Sequence, residues 1–302
     1  MPNISKQEFL AKLKRTYGVI RKIGSSQSLY EIGNGAGRIY IRYSKLHSRG
    51  QAFYGLRKTD LQILEGHRSV ICFLWENQAE PLFIPYIDFE EVFHTISPAS
   101  DGQYKAHIFL QDPGCDLYIA KAGRFNVEAF FGWDKLDSII TKRQLTENLN
   151  LSHTQVQTLL GSIGAIKGYG IWIPRNDRSK LDWELVKEFE CNDKLPHSYN
   201  MIEHILSEID VIWFERGANK IRALFEVEHS TPIYSGLLRF NDVHLMTNNL
   251  DSTYTIVSND DRRALFVRQL RRPTFTFSKL GDNCTFLEYP NVYSWHKRLS
   301  LR

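Results

Sequence analysis

Two short apolar runs, Ile209-Asp210-Val211-Ile212-Trp213-Phe214 and Ile221-Arg222-Ala223-Leu224-Phe225-Glu226-Val227-Glu228, constrain the fold more than any other part of this chain. Both are rich in β-branched and aromatic residues, and Arg216-Gly217-Ala218-Asn219 between them carries turn chemistry. The pair predicts an antiparallel hairpin. With Ala218 at the centre of the turn, Asp210 falls opposite Glu226, and directly paired residues hold their Cβ atoms about 4.5–5.5 Å apart. Glu226 and Glu228 are two residues apart on one strand and share a face, while Phe225 and Val227 point into the opposite, buried layer. Three carboxylates therefore gather on one patch. Like charges so close raise one another's pKa, and a divalent cation relieves the repulsion. Mg²⁺ prefers carboxylate oxygens and keeps several waters. Bound there, it can lower the pKa of a water and stabilise charge on a phosphodiester.

The elements around this hairpin predict an α/β (α+β) class, a mixed central sheet flanked by helices. Ser152-His153-Thr154-Gln155 opens a helix running to about residue 163. Helical spacing follows the hairpin over 233–248, through Ile233, Leu237, Leu238 and Leu245. A strand is expected at 254–257, a basic amphipathic helix at 260–270 closed by Pro273, a strand at 284–289 and a last helix at 292–299. The N-terminal half reads differently. An amphipathic helix over 4–15 precedes strand patterns at 38–43, 70–75 and 82–85 and a short helix from 88 to 93. After a loop at 97–103, strands at 105–110 and 115–120 flank the turn Asp112-Pro113-Gly114. This gives a β-rich N-terminal domain, 1–140, and a second domain, 141–302.

Composition narrows the classes. No run approaches the roughly 18 apolar residues of a membrane span, and the N-terminus lacks the apolar segment of a secretory signal. The four cysteines form no CxxC pair and the ten histidines no HExxH. A soluble, cytoplasmic protein without zinc or disulfides is expected. No GxxxxGK[ST] is present, so no nucleotide cofactor is expected.

Asp210, fifteen intervening residues and then Glu226-Val227-Glu228, set on two apolar strands within this element order, resembles the PD-(D/E)XK nuclease superfamily, which includes most type II restriction endonucleases. The resemblance covers roughly residues 145–302. Glu228 stands where the pattern usually has Lys, an E-x-E variant that some restriction enzymes carry, and Ile209 stands where it nominally has Pro. The resemblance implies a restriction-endonuclease-like core with Asp210, Glu226 and Glu228 catalytic. Asp210 and Glu226 would be metal ligands, and Glu228 a ligand or the general base. It implies Mg²⁺ as cofactor and double-stranded DNA as substrate, cut at specific sequences as by a type II enzyme. Cutting two antiparallel strands at a palindrome favours a two-fold homodimer.

Other polar residues are candidates for supporting roles. His229, Gln155 and Glu203 are expected near the metal or the scissile phosphate, with His153, Asn176 and Asp177 as further polar groups, and Ser230 or Thr231 as a helix cap. Arg262, Arg263, Arg268, Arg271 and Arg272 form a basic stretch suited to phosphates. Base reading is assigned to the N-terminal half, where Arg38, Arg42, Lys45, Arg49, Arg57 and Lys58 interleave with Tyr40, Tyr43, Phe53 and Tyr54. Tyr40 and Phe53 are expected in the core. Two other functions fit the same residues: a repair or structure-specific nuclease, alone or as a subunit, and a DNA-binding protein that kept the fold without the chemistry.

Overall fold

The computed structural model describes residues 6–301 apart from 48–49, 112–113, 141–150, 219, 230–231 and 248–251. Arg49, Asn219, Ser230, Thr231 and the Asp112-Pro113 part of the expected turn lie outside the described residues. The chain divides into two compact units, Met1–Leu145 and Thr146–Arg302. Among the described residues no helix is long and apolar enough to cross a membrane, and all four cysteines are free thiols.

The first unit is built from β1 (Ile20–Lys22), β2 (Leu29–Ile32), β3 (Gly37–Ser44), β4 (Leu46–His47), β5 (Gln51–Arg57), β6 (Ser69–Trp75), β7 (Leu82–Pro85), β8 (Gln103–Gln111), β9 (Gly114–Ile119) and β10 (Gly123–Asn126), with helices α1 (Lys6–Tyr17), α2 (Lys58–Leu64), α3 (Tyr86–Thr95) and α4 (Trp133–Ile140). The strands form two five-stranded sheets, ordered β1-β2-β3-β6-β7 and β10-β9-β8-β5-β4. In the first sheet β3 and β6 run parallel, and β6 is buried along its whole length. One core cluster joins Tyr40, Ile71 and Phe73 to Tyr54, Ile108 and Leu117 of the second sheet. Another sets Ile39, Ile41, Val70 and Cys72 against Phe9 and Leu13 of α1 and Leu136 of α4. Sequence patterning placed most of these elements, but not α4.

The second unit holds α5 (His153–Ile166), β11 (Gly170–Trp172), the short helices α6 (Arg175–Arg178) and α7 (Glu203–Leu206), β12 (Val211–Glu215), β13 (Lys220–Val227), α8 (Ile233–Thr247), β14 (Thr253–Ser258), α9 (Arg263–Leu270), α10 (Pro273–Phe277), β15 (Cys284–Glu288) and α11 (Tyr289–Ser300). Its sheet is ordered β11-β12-β13-β14-β15. The β11, β12 and β13 neighbours are antiparallel, whereas β14 and β15 continue in parallel from β13. A parallel neighbour requires a crossover, and α8 supplies the one between β13 and β14. The expected mixed sheet flanked by helices is therefore present.

Alternation sorts the strands onto two layers. Ile212, Phe214, Leu224 and Ile256 pack with Leu237 and Phe240 of α8. Val211, Trp213, Phe225 and Val227 pack on the other side with Leu160 and Ile163 of α5 and Trp295 of α11. Helix α5 approaches the sheet closely because of its glycines. Trp213 Nε1 donates to the Leu160 carbonyl at 3.1 Å, and a Cβ on Gly164 would lie 2.5 Å from both Ile171 Cδ1 and Trp213 Nε1. Neither neighbour can retreat in a full core. Gly164→Ala should therefore cost about 1–3 kcal/mol in urea unfolding, the usual range for overpacking, despite alanine's better helix propensity.

Candidate active site

The observed register is the one that the hairpin pattern predicts. Val211 pairs with Phe225, Ile212 with Leu224 and Trp213 with Ala223, before a register shift between Trp213 and Phe214. Continued by one residue, this register sets Asp210 opposite Glu226. Asp210 Oδ2 accepts a hydrogen bond from the Val227 amide at 2.7 Å, which ties it to the strand that carries both glutamates. Glu226 and Glu228 are almost wholly buried, at 1% and 3% exposure. The Glu228 amide donates to the Val257 carbonyl at 2.8 Å and so extends the β13–β14 ladder.

Helix α5 reaches Asp210 from one face. Ser152 caps it, and the Ser152 and Gln155 side chains form a reciprocal capping box. One turn apart on the helix, His153 Nε2 lies 3.4 Å from Asp210 Oδ1 and Gln157 Nε2 donates to the Asp210 carbonyl at 2.9 Å. The Asp210 hydrogen bond raises the His153 pKa, against the opposing effect of burial. The oxygen of the same buried Gln157 amide, Oε1, has no hydrogen-bond partner among the described residues.

Helix α8 supplies a residue absent from the sequence-based candidates. Arg239 donates from Nε to Glu226 Oε1 at 2.7 Å and from Nη2 to Oε2 at 2.8 Å. This fork-on-carboxylate contact is among the strongest hydrogen-bonded pairs available to side chains. Gly236, three residues earlier, lets the helix come this close. A Cβ there would lie 2.8 Å from Glu228 Oε1 and 3.2 Å from Glu226 Cβ. The available signal was a lone arginine beside the apolar face of the helix that follows the E-x-E strand.

Burial pushes the Glu226 carboxyl up to about 8, and Asp210 and Glu228 push it the same way, while the Arg239 guanidinium opposes them. Burial thus favours the protonated form of Glu226, while the Arg239 fork favours its carboxylate. All three acids offer oxygen donors, the set that a hard divalent cation takes. Among the described residues, however, no three His, Cys, Asp or Glu side chains form a ready metal-holding group.

The remaining candidates are distributed elsewhere. His229 is exposed and stacks on Tyr289, with centroids 6.0 Å apart and planes 6° from parallel. Gln155 does not turn to Asp210; its side chain serves the cap and donates to Asp182 Oδ2 at 3.0 Å. Glu203 opens α7 in an exposed position. Asn176 is exposed, and Asp177 pairs with Lys180 at 2.8 Å. Arg262 Nη1 donates to the Glu228 carbonyl at 2.8 Å, and Arg263 pairs with Glu288 at 2.7 Å and covers Phe286. Arg262 thus binds just past the end of the central strand β13 and Arg263 binds the edge strand β15, whereas Arg268, Arg271 and Arg272 are exposed.

In the first unit Arg38 is not available to bases. It is buried on a central strand and donates to the Ile63 carbonyl. Arg42 lies over the Tyr40 ring, while Lys45, Arg57 and Lys58 are exposed. Tyr40 is a core residue as expected, but Phe53 is 43% exposed, because it points to the open face of the second sheet. There the pairings Phe53–His107, His107–Tyr118 and Tyr118–Arg124 make one cross-strand row.

The raised Glu226 pKa fixes the sign of a pH effect. The folded state binds this proton more tightly than the unfolded chain, so its contribution to stability is full below the ordinary value of 4.5 and is lost as pH rises through about 8. Urea midpoints of the wild-type chain should fall across that window. In Glu226→Gln that part of the slope should disappear; an unchanged slope would mean that Glu226 ionises normally.

The chain is 30% identical over 153 residues to the type II restriction enzyme NmeDI of Neisseria meningitidis serogroup C, a match covering 47% of this chain and 43% of that enzyme. The chain thus spans less than half the length of this relative. No solved structure matches. Residues 136–300 match the family defined by the C-terminal domain of NmeDI, and the chain belongs to that restriction-enzyme family.

Proposed function

We propose that this chain is a Mg²⁺-dependent, sequence-specific endodeoxyribonuclease that cuts double-stranded DNA in the manner of a type II restriction enzyme, with a PD-(D/E)XK-type site in its E-x-E variant. The observation that carries the reading is the placing of Asp210 against the buried Glu226–Glu228 strand in a unit of restriction-enzyme family. Asp210 and Glu226 would hold the cation, with Glu228 beside them as ligand or base. When bound, Mg²⁺ would supply an acidified water and charge stabilisation at the phosphodiester. The chain's own groups do the positioning. The Val227 amide and Gln157 fix Asp210, and the β13–β14 ladder fixes Glu228. His153 offers a donor at the rim of the patch.

The first test is cleavage of plasmid and phage DNA by the purified chain with Mg²⁺ or EDTA. Discrete fragments that require Mg²⁺ are expected, and Asp210→Asn and Glu226→Ala should each lower the rate by at least about a hundredfold. Binding that persists in EDTA with no cleavage under either condition would contradict the reading. A two-fold dimer is part of the proposal, and a monomer by gel filtration with and without DNA would remove that part.

For the first unit, the open sheet face replaces Arg38 as the proposed DNA contact. Its row ends in Arg124, whose guanidinium lies 4.2 Å from the Phe109 ring centroid, and sheets of this kind can enter a DNA groove. Arg124→Ala and Tyr118→Ala should each weaken DNA binding about tenfold without lowering the thermal midpoint. Unchanged affinity in both would rule this face out.

A further inference from the structure

We propose that Arg239 is a working residue of the site, a latch on Glu226 that a divalent cation displaces and whose guanidinium then receives the target phosphate. This inference rests on the nuclease reading above.

The Arg239 fork engages both Glu226 oxygens at 2.7 and 2.8 Å. A cation chelated by Glu226 would have to displace it. A cation on one oxygen would sit beside the guanidinium, with like charges a few ångströms apart in a poorly screened place. Arg239 and the metal therefore compete for one carboxylate.

The helix is built for a side chain that moves while its backbone stays. Leu237 and Phe240, on either side of Arg239, are fully buried, and Gly236 seats α8 against Glu226 and Glu228. The Arg239 side chain itself is 27% exposed, so its fork can leave Glu226 without repacking the core. A planar guanidinium fits a phosphate with the same two-pronged geometry that it uses on a carboxylate. A DNA phosphate arriving at the patch would give the released fork an equivalent partner. Metal entry and DNA arrival are then linked, because each favours release of Arg239 from Glu226.

The test is Mn²⁺ titration of the full chain without DNA, followed by electron paramagnetic resonance, on wild type, Arg239→Gln and Arg239→Lys. Plasmid cleavage and circular dichroism are measured on the same samples. Arg239→Gln should bind Mn²⁺ at least about tenfold more tightly than wild type and yet cleave at least about tenfold more slowly. Arg239→Lys keeps the charge but not the fork, so it should fall between them; it also decides the matter if the Gln variant does not fold. A Mn²⁺ affinity unchanged or weakened in the folded variants would overturn the latch. If Glu226→Gln still abolished Mn²⁺ binding in that case, the metal site would stand and only the role of Arg239 would fail. Absence of Mn²⁺ binding and of cleavage in every form, wild type included, would overturn the latch and the nuclease reading together.

Discussion

A buried carboxylate must find positive charge or keep its proton, and Glu226 is the residue on which that constraint falls. It sits on the central strand of a five-stranded sheet with almost no exposure, beside two further acids. Transfer of an unpaired carboxylate out of water costs several kcal/mol even after relaxation, roughly. Several features follow from this one residue. The hairpin register fixes which acid faces it, and the crossover to the parallel strand β14 lays α8 across it. The missing side chain of Gly236 lets that helix approach, and Arg239 supplies the charge. Remove the glycine or the arginine and the burial of Glu226 loses its justification.

Much of this was legible in the sequence where the rules are local. Period-two alternation and one turn set the pairing of β12 with β13, and the opposition of Asp210 and Glu226 follows from it. Arg239 was not legible because its contact spans thirteen residues and depends on how α8 crosses the sheet. Gln155 and Gln157 show the same limit at closer range. Both lie on α5, but the helical period turns Gln157 toward Asp210 with His153, and Gln155 back to the cap. The first unit separates its faces in a way that charge alone does not reveal. Arg38 sits on a strand covered on both sides, whereas Phe53 belongs to an antiparallel sheet with one face open to solvent, a normal division between such sheets.

Family and geometry support each other without overlapping completely. The family match covers residues 136–300, which takes in the carboxylates, both flanking helices and Arg239. Most of the first unit lies outside that stretch, so its proposed role comes from its open aromatic and basic sheet face alone. The basic segment after β14 divides by contact. Arg262 and Arg263 bind groups of the sheet, whereas Arg268, Arg271 and Arg272 are exposed.

The most direct measurement is an anomalous-scattering map of crystals of the protein with DNA and Mn²⁺. The account predicts a metal peak held by Asp210 and Glu226, with the Arg239 guanidinium turned from Glu226 onto a phosphate. A peak elsewhere, or none, with Arg239 still paired to Glu226 while DNA lies against it, would contradict it.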